Sequence, residues 1–502
     1  MGPECGIPPI GRANHLAQFD RRLFDHGREQ PDVELGAEGA GPQERRAGRS
    51  AGPRQRRIAQ ASLPSMVVSD SHPRGSALAA RVTPGRIVAA VLVLVALGTA
   101  AALTVLHRDV LLGMVPSPDM RELHPDFDTF WQSAVAMLHG DDIYRTPAKL
   151  TNLNPPVLSV LLAPFALLEA LPAYRLWVAL TVLMIVVAVW AVARELRIGR
   201  LWTAAALLAL VLASPLHGTL LLGQIYGLLL VALVAGWIAE RRGHPMPAAV
   251  LYGVAVAFKP SLAPILLLPF VQGRWRPGAA GIAGAAVATL VGVAAAGWSS
   301  GLEWLRIGLS TAVPDVVDNA ALPGVAVRFG LSSTVGTVAG GLLLVATLVV
   351  LGRRARAGAA DPAGTAPWAV VAAGLLTAPI AWHNYLLLLW PGVLVLISLH
   401  RELRWGKSVA AVLLAVPVIP VSWGALWADG DAWSPVGRSL YAVILLSYWV
   451  SLLVASSVPA APSDRGEGTA AEVGGTSMSR DSLTASGSPS RMGAPGAPGA
   501  GA

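Results

Sequence analysis

Apolar segments of near-bilayer length follow one another along most of this chain, separated by short arginine-rich loops. The first, "IVAAVLVLVALGTAAALTVL" (Ile87–Leu106), has the ~20 residues that a helix needs to cross a hydrocarbon core. Twelve more follow, near 155–168, 173–193, 201–215, 219–239, 247–258, 260–271, 279–298, 335–352, 366–381, 384–399, 408–427 and 438–457. With 54% hydrophobic and only 14% charged residues, a water-soluble fold has too little polar surface to cover this chain. The expectation is an all-α, polytopic membrane helical bundle with about 12–13 transmembrane segments. The formal charge of +8 does not call for a nucleic-acid partner, because the arginines sit in the N-terminal tail and the short loops, as the positive-inside rule requires. The single cysteine, Cys5, leaves no intrachain disulfide and no cysteine metal cluster. An Ala/Gly/Arg-rich composition goes with high-GC bacterial genomes, and a bacterial plasma membrane is the expected location.

Residues 1–85 carry no sustained apolar period and read as a disordered tail, with Met66 an alternative start. Residues 459–502, with "SGSPSRMGAPGAPGAGA", read as a low-complexity tail. The membrane domain is therefore expected over 86–458.

The basic loops "RELRIGR" (194–200), "ERRGH" (240–244), "GRWRPG" (273–278), "GRRARAG" (352–358) and "RELRWGK" (401–407) enclose two apolar segments between each consecutive pair. That parity lets all five face the cytoplasm. An internal N-terminus then places the loop after the first span outside and leaves one net crossing for residues 155–193. The run "PPVLSVLLAPFALL" is short and carries Pro155, Pro156 and Pro164, so a partial or re-entrant element is expected there. A full span with a less regular charge pattern is the alternative.

On this topology the external side collects Asp126, Asp128, Gln224, Lys259, Asn319, Arg328, Trp382, His383 and Asn384. Ionisable groups at membrane depth are costly and point to function unless snorkelling explains them. Lys259, in "AFKPS" between two short apolar runs, fits a cavity-lining turn or a snorkelling side chain. In "DFDTFWQSAVAMLHG" the apolar positions Phe127, Phe130, Trp131, Ala134, Val135 and Leu138 recur at spacings of three and four, the pattern of an external interfacial helix in the first loop. A carboxylate at its start can cap free N–H groups; two carboxylates leave one for other work. Spelled Asp-x-Asp, "DFD" also fits a metal pair, but no second acidic site accompanies it, and no metal or cofactor is expected.

These motifs, in this order from about Asp126 to Trp390, resemble glycosyltransferase family 87, polyprenyl-phosphate-sugar-dependent enzymes of the GT-C superfamily. "DFDTF" and "GDDIY" resemble the family's first-loop pattern, and "NPPVLSVLLAPFALL" its Tyr-Pro-Pro entry with Asn154 for Tyr. "GQIY" resembles Gly-Gln-x-Asn with Tyr226 for Asn, and "GVAVAFKPSLAPILLLPFVQGRWR" is the closest match, to the Lys-Pro segment. "NAALPGVAVRF" resembles an Asn-Gln-Ser-Leu-x-Gly…Arg loop with Ala320 and Ala321 for Gln and Ser. "APIAWHNYLLLLWPG" resembles Ser-Pro-Ile-Ser-Trp-x-His, with both serines lost and Asn384 at the usual His.

The resemblance implies an inverting transfer of a sugar, mannose foremost or else arabinofuranose, from a polyprenyl monophosphate to a cell-envelope glycolipid, lipoglycan or glycan. The site would face the outside among membrane lipids. It implies Asp126 as general base, with Asp128 as fallback, and Lys259 and Arg328 as phosphate contacts. It also implies Gln224, Asn319, His383 and Asn384 on sugar hydroxyls and Trp382 stacking on a sugar face. His383 fits an ordinary interfacial histidine equally well. A lipid or solute transporter would share the broken helices and the intramembrane lysine, but predicts inverted repeats that the sequence does not show. An inactive scaffold of the same fold is the remaining alternative. Oligomeric state is not legible.

Overall fold

The computed structural model describes residues 117–310, 312–359, 361, 363–399, 403, 405–419 and 434–457, with isolated residues between 94 and 105. Both tails, most of the expected first span and the second half of segment 408–427 lie outside them. The chain divides after Pro459, and every described residue belongs to the first unit, Met1–Pro459. Among the described residues there is no strand, only an isolated bridge between Asn319 and Trp382. The chain is an all-helical, multi-pass membrane protein.

An amphipathic helix, α1 (Pro125–His139), leads into the short α2 (Val157–Leu162) and a 3-10 turn at Phe165–Leu167. Six residues of α2 rise only ~9 Å at 1.5 Å each, so this proline-flanked stretch is a partial element. Trp131 of α1 donates to the carbonyls of Phe165 and Leu168, at 3.3 and 3.2 Å, and lashes the two together. Then come α3 (Ala170–Glu195), α4 (Arg200–Leu212), α5 (Ser214–Leu222), α6 (Tyr226–Arg241) and α7 (Pro245–Phe258). A 3-10 stretch, Pro260–Leu267, continues into α8 (Leu268–Val271), followed by α9 (Trp275–Ala296), α10 (Trp298–Ser310), α11 (Leu322–Arg328) and α12 (Ser333–Arg356). The chain closes with α13 (Ala366–Thr377), a 3-10 stretch His383–Leu389, α14 (Trp390–Ser398), α15 (Gly406–Ala415) and α16 (Leu440–Ala455).

Among the described residues only α3, α9 and α12 are single helices long and apolar enough to cross a bilayer; α4 and α5, bent by 54°, make a fourth if counted as one span. The other expected segments are mostly shorter helices of 10–17 residues, and proline explains why. Pro215 follows the bend between α4 and α5, Pro260 and Pro264 turn the end of α7 into 3-10 helix, and Pro379 follows the end of α13. Each removes a backbone donor and disfavours α conformation in the residue before it. Three hairpins result, with apexes at Gln224, Lys259 and residues 378–389.

The five basic loops gather at the other end of the bundle. Glu195 pairs with Arg241 and Arg242, at 3.6 and 2.8 Å, and Glu240 pairs with Arg274. Gly352 abuts Val271, and the Lys407 ammonium lies 5.7 Å from the Trp202 ring centre beside the 194–200 loop. The parity read from the loops thus has its counterpart in space. Along α3, whose 26 residues span ~39 Å, this end is separated from the hairpin apexes. Helices α7 and α9 approach most closely at Gly253, where a Cβ would overlap the carbonyl oxygen of Gly281. Small residues at such a crossing supply the packing that lipid cannot drive.

Candidate active site

Helix α1 has His124 as its N-cap, yet no side chain caps it. The His124 ring instead reaches outward: Nε2 accepts from the Ser117 N–H at 3.2 Å, which leaves the proton on Nδ1 to donate to the Leu221 carbonyl at 2.6 Å. It stacks on Tyr174 at 3.9 Å, and burial holds it below the usual histidine range, in the neutral form this bonding needs. Tyr174 donates to the Leu220 carbonyl at 2.7 Å, and Trp177 donates to that of Gly223 at 3.0 Å. Gly223 adopts φ +72°, and a Cβ there would also strike Phe127, so turn and close approach both require glycine. These contacts clamp the start of α1 against the α5–α6 turn. Gln224 donates from its Nε2 to the carboxylate of Asp126, which sits in the first helical turn near the positive end of the helix dipole.

Lys259 ends α7, where Pro260 has broken the helix. Its ammonium lies 4.9 Å from the ring centre of Tyr385 and 5.9 Å from that of Tyr226, within cation–π range. The two rings are 4.8 Å apart, and Tyr226 stands two residues after Gln224, the partner of Asp126. Asp126, Gln224, Tyr226, Lys259 and Tyr385 therefore form one cluster, drawn from α1 and from all three hairpin apexes. Asp128, two residues on, stands apart: it is buried, and that burial pushes its carboxyl above the usual carboxylate range against a hydrogen bond from Gln132.

The expected sugar contacts divide. Asn319 is fully buried, and its amide is committed to backbone. Its Nδ2 donates to the carbonyls of Pro314 and Pro379, at 3.1 and 3.2 Å, and its Oδ1 accepts from the N–H groups of Ala321 and Ala381, at 3.2 and 3.1 Å. Trp382, half-buried, pairs with Asn319 through the backbone bridge. Arg328 donates to the carbonyls of Val316 and Asn319 and to Ser439, leaving Nη2 without a partner among the described residues. Burial brings its pKa down to about 10, so it stays charged at neutral pH. His383 Nδ1 lies 3.5 Å from an Asp318 carboxylate oxygen, and Asn384 Oδ1 is buried without a partner among the described residues. His383 and Asn384 join the main cluster through their neighbour Tyr385, whereas Asn319 and Arg328 hold the loop behind it.

The sequence offers Tyr226 only as a replacement for the family's Asn and does not single out Tyr385, Asp318 or His124 as site residues. Tyr226 and Tyr385 each stand within two residues of a position already singled out, in "GQIY" and "HNY", and that adjacency was the available signal.

The model of glycosyltransferase family 87 matches residues 152–379. Over that stretch the chain is similar to glycosyltransferase family 87. The matched region contains Gln224, Tyr226, Lys259, Asn319 and Arg328; outside it, Asp126 meets it through Gln224, Tyr385 through Lys259 and His383 through Asp318. Two curated relatives, each named alpha-(1->3)-arabinofuranosyltransferase, come from Mycobacterium tuberculosis strains CDC 1551 and H37Rv. Each is 29% identical over 208 residues, which is 40% of this chain and 46% of the relative, so the chain spans about half the length of the curated relatives it matches. No solved structure matches the chain.

Proposed function

We propose that this protein transfers a sugar from a polyprenyl monophosphate to a cell-envelope glycan or glycolipid, with inversion, at the membrane end opposite the basic loops. The observation that carries the proposal is a hydrogen-bonded carboxylate, Asp126, in one cluster with a lysine ammonium that lies within cation–π range of two phenol rings. Asp126 takes the proton of the acceptor hydroxyl as that oxygen forms its bond to the anomeric carbon. The bond from that carbon to the phosphate oxygen breaks, and the phosphate leaves with the electron pair. Lys259 neutralises the charge that accumulates there, and the free Nη2 of Arg328 is a second candidate for it. Gln224 orients the carboxylate. His383 and Asn384 offer groups to sugar hydroxyls, Trp382 offers a face, and Asn319 acts by holding the loop that presents them. Asp128 is the fallback base.

Mannose is the sugar that the sequence resemblance puts first, while the names of the curated relatives favour arabinofuranose. Basic loops in the cytoplasm would place the site outside. The test is transfer by the purified full chain, reconstituted in lipid with an envelope glycan extract. Radiolabelled polyprenyl-phosphoarabinose and polyprenyl-phosphomannose are compared. Label moving from one donor fixes the sugar; label moving from neither removes the proposal.

A further inference from the structure

Helix α10 follows the spanning helix α9 after Gly297, whose φ of +89° turns the chain sharply. Its thirteen residues, "WSSGLEWLRIGLS", carry Trp298, Leu302, Leu305 and Leu309 at intervals of four, three and four. At 100° per residue these four positions fall within ~60° of arc. All four side chains point away from the protein, at 69, 54, 52 and 90% exposure. Ser300, on the opposite face, is buried, and Gly301 lies against Val293 of α9. The helix is thus docked by the side that carries Ser300, Trp304 and Ile307, the last two half-buried, and presents a second apolar stripe outward. Glu303 and Arg306 pair with each other at 3.1 Å on the flank of the stripe, and no charge lies within it.

What covers that stripe follows from where it begins. The outward face of α9, with Ile282, Val287, Leu290 and Val291 exposed, is lipid-facing in a membrane protein, and the stripe continues that surface. The position along the bundle is also fixed. Gly292, near the end of α9, meets the backbone of Val157 in α2, and α2 packs on α1. Glu303 is near enough for its charge to act on Tyr144, in the loop after α1. Helix α10 therefore sits at the same end as α1 and Asp126.

We propose that α10 is an interfacial anchor, lying in the plane of the leaflet with Trp298, Leu302, Leu305 and Leu309 sunk into the headgroup–acyl boundary. Its partner is the lipid surface itself. An aromatic residue at one end and aliphatic residues along the rest suit that depth. The consequence, which rests on the proposed function, is that α10 and α1 hold the site level with the layer where the phosphate of a lipid-linked donor lies.

The native chain's single cysteine makes the test direct. In a Cys5→Ser background, nitroxides are attached to Leu305→Cys and Leu309→Cys on the stripe, and to Ser299→Cys and Ser310→Cys beside it. The full chain is reconstituted in phosphatidylcholine/phosphatidylglycerol vesicles. Power saturation then reports collision with oxygen, which partitions into lipid, and with a water-soluble nickel chelate. The stripe labels should favour oxygen, at a depth of ~5–10 Å below the phosphates, and the flanking labels should favour nickel. Nickel access equal at all four sites would put the helix in water and overturn the proposal. Stripe labels reached by neither reagent, with dipolar broadening between labels, would put a second copy on the stripe and overturn it equally. Leu309 is almost fully exposed, so its substitution leaves packing intact, and no outcome depends on sugar transfer.

Discussion

Replacing Asn319 by alanine separates a structural role from substrate contact. The wild-type amide makes four hydrogen bonds in a site with no solvent access, two as donor and two as acceptor. A net contribution of ~0.5–1.5 kcal/mol for each gives a loss of about 2–6 kcal/mol for the loop they hold. The truncation also leaves the N–H groups of Ala321 and Ala381 buried without that partner, which moves the expectation to the upper part of that range. Because 1.4 kcal/mol is tenfold, hydrogen exchange in residues 314–328 and 378–384 should accelerate by roughly 30-fold to 10⁴-fold. Exchange in α3, distant from the staple, should change little. Asn319→Asp should be as damaging, since it sets a carboxylate oxygen against the carbonyls of Pro314 and Pro379. Mass-spectrometric exchange on the detergent-solubilised protein reads all three. Unchanged protection in Asn319→Ala, together with a raised KM for the sugar donor, would refute the staple and restore Asn319 as a sugar contact.

Three further outcomes are expected. Asp128 has its pKa raised in the folded protein, so its contribution to stability is fully present below the unfolded carboxyl value and is lost as pH rises through the folded one; Asp128→Asn should therefore match or exceed wild-type thermal stability at pH 7 and flatten its decline above acid pH, whereas an unaltered pH profile would show that the carboxyl is not strained. Lys259→Met keeps the apolar stem but removes the ammonium, and losing a charge-assisted contact worth ~1.5–3 kcal/mol should raise the donor KM by roughly 10- to 150-fold; an unchanged KM in steady-state assays would detach Lys259 from the phosphate. Gly253→Leu drives a side chain into the Gly281 backbone and should cost at least ~1–3 kcal/mol, seen as an earlier melting transition, while wild-type melting would mean that α7 and α9 are further apart than described.

Much of this architecture was legible because proline and charge act locally. The Lys-Pro step of "AFKPS" carries its own turn, and Lys259 is found at an apex. The prolines of 155–168 similarly forecast a partial element. Parity of arginine loops forecast their common end because an even number of apolar segments between two loops returns the chain to the side it left. The interfacial helix was legible from its period, but the partner of Asp126 was not. Gln224 lies 98 positions away, and no local rule brings the two together. Asn319 shows the same limit: its backbone partner at Pro379 lies 60 positions on, and no local rule brings the two together. Beyond its place in "HNY", Tyr385 gives no local signal, because aromatic residues in a membrane bundle are mostly packing. The amphipathic period of α10 was within reach, yet thirteen residues fall short of a span and the helix went unread between 279–298 and 335–352.

Turnover by Asp126→Asn tests the central claim most directly. The substitution keeps the size of the side chain and removes its basicity. With purified protein and whichever polyprenyl-phosphate sugar proves active, kcat should fall by ~10²–10⁴-fold, the range a general base contributes. Donor-lipid affinity, measured separately by equilibrium binding, should stay within a few-fold of wild type, because the cation of Lys259 is untouched. Wild-type kcat in Asp126→Asn with loss in Asp128→Asn would move the base by two residues. Wild-type kcat in both would contradict the account, since no carboxylate of α1 would then take the acceptor proton.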